Sequence, residues 1–291
     1  MKNIFFLLSL LGWAGGLFAQ PDTDIFLLEV GHSGTDLTFS NPVNITPRKG
    51  YDNQPSFLPE GEGIIYTSIL ADGQAEIMQY DFNTRNSKRL TRTKGHSEYS
   101  PQLTPDGKYI SAVVVEPDSS QRIWLYPVEG GKGKRLTDKF DGVGYYAWYH
   151  KKRMATFVLG DTFTLQALHV KKQKPYIAAE GIGRAVQPCP DFGRVSFVLK
   201  ESEEKWTLCI WNPRTKSIER ITETLPGQED YCWTPEGHLL MAEGHTLYRF
   251  RPGISTAWES LGELPVDDFY RLMMSPDGKY LAVVAYRGDK P

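Results

Sequence analysis

Residues 99–110 read Tyr99-Ser100-Pro101-Gln102-Leu103-Thr104-Pro105-Asp106-Gly107-Lys108-Tyr109-Ile110, and residues 272–281 read Leu272-Met273-Met274-Ser275-Pro276-Asp277-Gly278-Lys279-Tyr280-Leu281. Each sets a Pro-Asp-Gly turn between two apolar runs. Proline fixes φ at the first corner, and glycine accepts the positive φ that follows. Weaker copies are Leu58-Pro59-Glu60-Gly61, Pro190-Asp191-Phe192-Gly193 and Thr234-Pro235-Glu236-Gly237, and a degenerate one is Trp148-Tyr149-His150-Lys151-Lys152. The turn marks fall at 59, 105, 149, 190, 235 and 276, with spacings of 46, 44, 41, 45 and 41. A repeat of that length changes the whole reading of the fold.

Within each period the turn is followed by a β-branched or aromatic run, such as Ile110-Ser111-Ala112-Val113-Val114 or Val195-Ser196-Phe197-Val198. A third run follows, as in Arg122-Ile123-Trp124-Leu125-Tyr126, and then a short basic one ending in Lys88-Arg89-Leu90-Thr91, Lys134-Arg135-Leu136-Thr137 or Glu219-Arg220-Ile221-Thr222. Four short strands joined by polar turns make one propeller blade. After the sixth turn only one further strand fits, Leu281 to Tyr286, while Asp24 to Val30 and Leu37 to Thr46 supply two strands with no inner pair before them. Each terminus holds the half that the other lacks. The expected fold is all-β: a six-bladed β-propeller with four-stranded blades, the ring closed by a blade shared between the N- and C-termini.

Residues 1–19 read as a secretory signal peptide, with Lys2 as the positive region, Ile4 to Leu11 as the apolar stretch and a small-residue exit at Ala19. The stretch is too short and too glycine-rich for a membrane anchor, no cysteine beside the cleavage point prepares a lipid anchor, and no later run approaches spanning length. Residues 20–291 then form the propeller domain. Of 291 residues 40% are hydrophobic, which rules out disorder, and a formal charge of −2 supplies no field for nucleic acid. Cys189, Cys209 and Cys232 lack metal-ligand spacing, so they read as buried thiols, with a Cys189–Cys232 bridge as the alternative.

The Pro-Asp-Gly-Lys turns, the Arg-Leu-Thr or Arg-Ile-Thr blade ends and the export signal together resemble the TolB-type, WD40-like propeller repeats of bacterial envelope proteins. The resemblance spans about Asp24 to Asp289 and covers the propeller portion only. It implies a fold rather than a function, because protein-binding propellers, enzyme accessory domains and some lyases share the repeat.

Motifs for a serine nucleophile elbow, a zincin helix, a phosphate loop, an EF-hand and a dinucleotide site are absent from the sequence. Gly31-His32-Ser33-Gly34 reads as a tight turn, Arg287-Gly288-Asp289 as a hairpin end, and the tryptophans as packing between blades. Propellers bind where the loops entering the innermost strands converge. Six residues before each turn mark stand Asn53, Tyr99, Val143, Arg184, Glu229 and Tyr270, and five before stand Gln54, Ser100, Gly144, Ala185, Asp230 and Arg271. With flanking residues, the candidate channel-mouth site is Tyr51, Asn53, Glu98, Tyr99, Tyr145, Arg184, Glu229, Asp230, Asp268, Tyr270 and Arg271. Its charged pairs and aromatic anchors suit a ligand or peptide. Glu229 and Asp230 are poor partners for acid–base chemistry if they alternate along a strand.

These observations lead to a secreted or periplasmic, monomeric, non-catalytic module that recognises an envelope protein or peptide, or a glycan, with no cofactor, no metal and no nucleic acid. The competing expectation is a propeller-fold lyase or hydrolase acting on a polysaccharide or peptide, with catalytic groups gathered from several blades. Converging His and carboxylate groups would favour the enzyme. A funnel of Tyr, Arg and isolated acids would favour binding.

Overall fold

The repeated turn closes as a self-bonded unit. Thr104 Oγ1 donates to Asp106 Oδ1 at 2.7 Å and accepts from the Tyr109 amide at 3.1 Å, while the Gly107 amide donates to the Thr104 carbonyl at 2.8 Å. Ser275, Asp277, Gly278 and Tyr280 repeat these bonds at 2.7, 2.9 and 2.9 Å. Gly107 and Gly278 sit at φ 69° and 71°, where a side chain would be strained. A computed structural model describes residues 20–33, 36–59 and 63–288. The signal-like segment 1–19 lies outside them, as does Asp289.

The chain opens with β1 (Thr23–Ser33) and β2 (Asp36–Asn44), then runs through five four-stranded antiparallel sheets. Blade 1 is β3 (Asp52–Phe57), β4 (Gly63–Ile69), β5 (Ala75–Asp81) and β6 (Asn86–Arg89). Blade 2 is β7 (Ser97–Leu103), β8 (Tyr109–Val115), β9 (Gln121–Pro127) and β10 (Lys134–Arg135). Blade 3 is β11 (Val143–His150), β12 (Arg153–Val158), β13 (Thr164–His169) and β14 (Pro175–Glu180). Blade 4 is β15 (Ile182–Pro188), β16 (Val195–Lys200), β17 (Trp206–Trp211) and β18 (Ile218–Glu223). Blade 5 is β19 (Tyr231–Trp233), β20 (Leu239–Glu243), β21 (Thr246–Phe250) and β22 (Glu259–Glu263). The sixth sheet joins the two ends of the chain in the order β2-β1-β24-β23, with β23 at Phe269–Met274 and β24 at Tyr280–Tyr286. Thr23 pairs with Tyr286 and Glu29 with Tyr280, so the expected shared blade is present.

Apolar clusters fill the seams between neighbouring blades. The seam that closes the ring unites Ile25, Ile45 and Val284 of blade 6 with Phe57, Ile64 and Tyr80 of blade 1. The blade-end threonines pin the third strands, with the hydroxyls of Thr46, Thr91 and Thr137 accepting the amides of Ile25, Ile77 and Ile123 at 2.8, 2.8 and 3.0 Å. Tryptophan also packs on the inner strands. Tyr146 Oη and Trp148 Nε1 donate to Ser111 Oγ of the preceding blade at 2.8 and 2.9 Å, and Tyr231 Oη and Trp233 Nε1 do the same to Ser196 Oγ, both at 2.8 Å.

One local expectation changes, the cysteines are the buried thiols expected, and Arg287 gains a role. Gly31, His32 and Ser33 are paired strand rather than turn, opposite Thr38, Leu37 and Asp36, because the β1–β2 hairpin runs further than its apolar residues do. Cys189, Cys209 and Cys232 are all free and buried, so the alternative bridge is not formed. Arg287 is held by Asp24 at 2.7 Å and fastens the end of β24 to the first strand.

Candidate channel-mouth site

In four of the blades the inner strand breaks register close to where its loop enters, between Asn53 and Ser56, Tyr99 and Gln102, Val143 and Tyr145, and Ile182 and Val186; β23 does the same between Phe269 and Arg271. A bulge bends the strand and re-aims the side chains beside it. Gln54 and Ser100, one repeat apart, carry left-handed φ of 56° and 52° at these breaks. The result is a cavity of about 80 Å³ at the channel mouth, lined by Gln54, Ser100, Tyr145, Arg184, Asp230 and Arg271 among others.

Arg271 is the hub. Its Nη1 donates to Asn53 Oδ1 at 2.7 Å and its Nε to Asp230 Oδ1 at 3.3 Å, and its guanidinium lies 5.7 and 5.9 Å from the ring centres of Tyr145 and Tyr270. Asn53 Nδ2 donates to Tyr270 Oη at 2.6 Å, and Tyr270 stacks on Tyr286 with centroids 4.7 Å apart. Burial pushes the Tyr51 hydroxyl well above its usual range, reinforced by Tyr270 and opposed by Arg271. Burial likewise raises Tyr99, beside Tyr145, and lifts Tyr270 to about 12.

Arg184 is the second cation. It grips Glu229 through Nη1 at 2.9 Å and Asp230 through Nη2, and Lys200 reaches Glu229 Oε2 at 3.2 Å. Burial alone would raise the Asp230 carboxyl, but Arg184 and Arg271 outweigh it and hold it below the ordinary range. The strand alternation expected to separate Glu229 from Asp230 does not apply, because both precede β19 in irregular backbone and one guanidinium spans them.

One candidate lies elsewhere. Glu98 is fully buried beside Glu76 of blade 1 and receives the Tyr126 hydroxyl at 2.9 Å, so it faces the seam between blades 1 and 2 instead of the mouth. Asp268 is exposed, with its carbonyl accepting the Tyr286 amide at 3.3 Å. Lys200 and Tyr286 were not among the candidates. They end the second strands of blades 4 and 6, and reading only the loops before the inner strands passes over them.

No protein-family model matches the sequence, and no curated protein matches it. Solved structures do. A candidate TolB from Agrobacterium tumefaciens superposes with a TM-score of 0.72 at 14% identity, covering 93% of this chain and 100% of that one. The TolB of Acinetobacter baumannii gives 0.61 at 14% identity over 92% of this chain and 65% of its own. The fold is that of the TolB-type propellers. An oligogalacturonate lyase in complex with manganese shares this TolB-like architecture at a TM-score of 0.61 and 13% identity, over 84% of this chain and 80% of that one. Such identities establish the fold alone, and the propeller's chemistry has to be read from its own side chains. In this TolB-like propeller none of the six histidines lines the cavity, and among the described residues no group of three or more His, Cys, Asp or Glu is placed to hold a metal.

Proposed function

We propose that this TolB-like propeller is a secreted or periplasmic binding module that recognises a protein or peptide partner at its channel mouth. The observation that carries the reading is the character of the cavity: Tyr145, Arg184, Asp230 and Arg271 line it, with Tyr51, Tyr99 and Tyr270 close by, and neighbouring side chains hold each guanidinium in place. Rigid aromatic and arginine anchors in a preformed hollow suit recognition of an extended segment. Nothing in the arrangement pairs a nucleophile with a base or leaves two carboxylates free for proton transfer, since Arg184 occupies both Glu229 and Asp230. The TolB-like architecture and the signal-like leader support placement in the bacterial envelope.

Co-purification of the full chain from envelope extracts tests the reading. A specific protein or peptide should be retained, and Tyr270→Ala with Arg271→Ala should release it. Recovery of the chain alone, with turnover of a polysaccharide or peptide library, would overturn the binding reading in favour of a lyase or hydrolase.

A further inference from the structure

The channel-mouth network uses up its acceptors and leaves donors over. Asp230 gives one oxygen to Arg184 and the other to Arg271. Glu229 Oε1 meets Arg184 Nη1, and its Oε2 takes the Arg184 amide at 3.0 Å and Lys200. Asn53 Oδ1 accepts from Arg271 and from the Gln54 amide, and Gln54 Oε1 accepts Thr67 Oγ1 at 3.0 Å and the Ser100 amide at 2.7 Å. Every side-chain oxygen of these four residues is engaged.

The remaining groups are of the opposite kind. Arg271 Nη2 and Gln54 Nε2 have no protein partner among the described residues, and Arg184 Nε and Ser100 Oγ are enclosed without one. The enclosed Ser100 hydroxyl is a costly unmet group, while Gln54 and Arg271 line the cavity with their spare donors open to it. Asn53 and Gln54 link the Arg271 end of this row to Ser100 across blades 6, 1 and 2. Charge points the same way. Arg184, Lys200 and Arg271 face Glu229 and Asp230, an excess of one positive charge that a single carboxylate neutralises and a phosphate dianion exceeds. A cavity of about 80 Å³ admits a functional group rather than a folded element.

We propose that the cavity binds a carboxylate of the partner, either an acidic side chain or a peptide C-terminus, between Arg271 and Gln54. The proposal rests on the peptide-binding reading above and names the ligand chemistry of that site. Guanidinium and neutral donors together would form charge-assisted hydrogen bonds to both carboxylate oxygens.

A heptapeptide array, each sequence synthesised as free acid and as amide, is screened against the full chain, and hits are measured by fluorescence anisotropy. Hits should contain Asp or Glu, or require the free C-terminus. Replacing the critical acid by its amide should weaken binding about 10- to 100-fold, and whether side-chain replacement or C-terminal amidation does so identifies the source. Gln54→Glu keeps an acceptor for Thr67 and Ser100 while turning the free donor into a negative charge, so it should abolish acid-dependent binding while thermal unfolding stays cooperative. Peptides that bind regardless of their carboxylates, or equally well to Gln54→Glu, overturn the carboxylate assignment and leave the binding module standing. An array with no binders at all overturns both.

Discussion

Asp230 and Glu98 are both buried acids, and their surroundings give them opposite pH behaviour. Asp230 lies between Arg184 and Arg271 and is held below the ordinary carboxylate range. Its stabilisation is therefore present above the unfolded value, near pH 4, and is lost as pH falls through the lower folded value. Asp230→Asn leaves two guanidiniums facing each other and should cost about 3 kcal/mol at pH 7, a drop of about 10 °C in melting temperature. The gap between the two proteins should narrow below pH 4 in a series of thermal melts.

Glu98 works the other way. It is fully buried beside Glu76, and burial, reinforced by the Glu76 charge and by a hydrogen bond to Glu76 that favours the protonated form, lifts its carboxyl to about 7. The folded chain keeps a proton that the unfolded chain releases, so stability falls as pH rises from about 4.5 to about 7. Glu98→Gln retains the carbonyl acceptor for Tyr126 and removes the titration. It should raise the melting temperature by several degrees at pH 8 and change it little at pH 4, and a variant no more stable than the parent at pH 8 would refute this account.

At the level of elements, the propeller is held by short polar pins set into apolar seams. Ser196 receives Tyr231 and Trp233 at separations of 35 and 37 residues, and Ser111 receives Tyr146 and Trp148 at the same separations. Ser196→Ala strands one buried and one half-buried donor at once and should cost about 2–3 kcal/mol, read as a lower urea midpoint. Thr137→Val removes one acceptor, that of the Ile123 amide, and should cost about 1–2 kcal/mol. These pins are visible in the sequence as Tyr-x-Trp following a serine in the second strand of the preceding repeat, but the pattern has meaning only once the repeat is aligned. The site was harder to read. Glu98 and Tyr99 are neighbours in β7 and their side chains part, Glu98 toward blade 1 and Tyr99 toward Tyr145. Glu229 and Asp230 are neighbours in irregular backbone and converge on one guanidinium. A count back from the turn cannot tell these two cases apart, because it does not say where strand geometry begins.

For the whole molecule, the blade shared between the two ends of the chain is the closure. The Arg287 amide donates to the Asp22 carbonyl at 2.9 Å, so the described ends lie side by side. A circular permutant joining residue 288 to residue 22 through a short linker, and opened in the exposed Asp72-Gly73 turn, should fold cooperatively with a melting temperature within a few degrees of the parent. Deleting residues 20–46 instead strips Ile25 and Ile45 from the seam with blade 1 and Leu28 from the seam with blade 5, bares the edge of β24, and should give aggregation or loss of cooperative unfolding.

Sequence alone determined the blade count, the turn chemistry and the split closure, because each is written in local residue types recurring at a steady period: proline, an acid and glycine at corners, and β-branched runs between them. Tertiary structure alone decided which polar side chains meet. Arg271, Asp230 and Asn53 come from three blades and are separated by as many as 218 residues, and the bulges of the inner strands, with the ring that brings six of them together, set their distances. No periodicity along the chain records that convergence, since it depends on how rigid blades are arranged around a common axis.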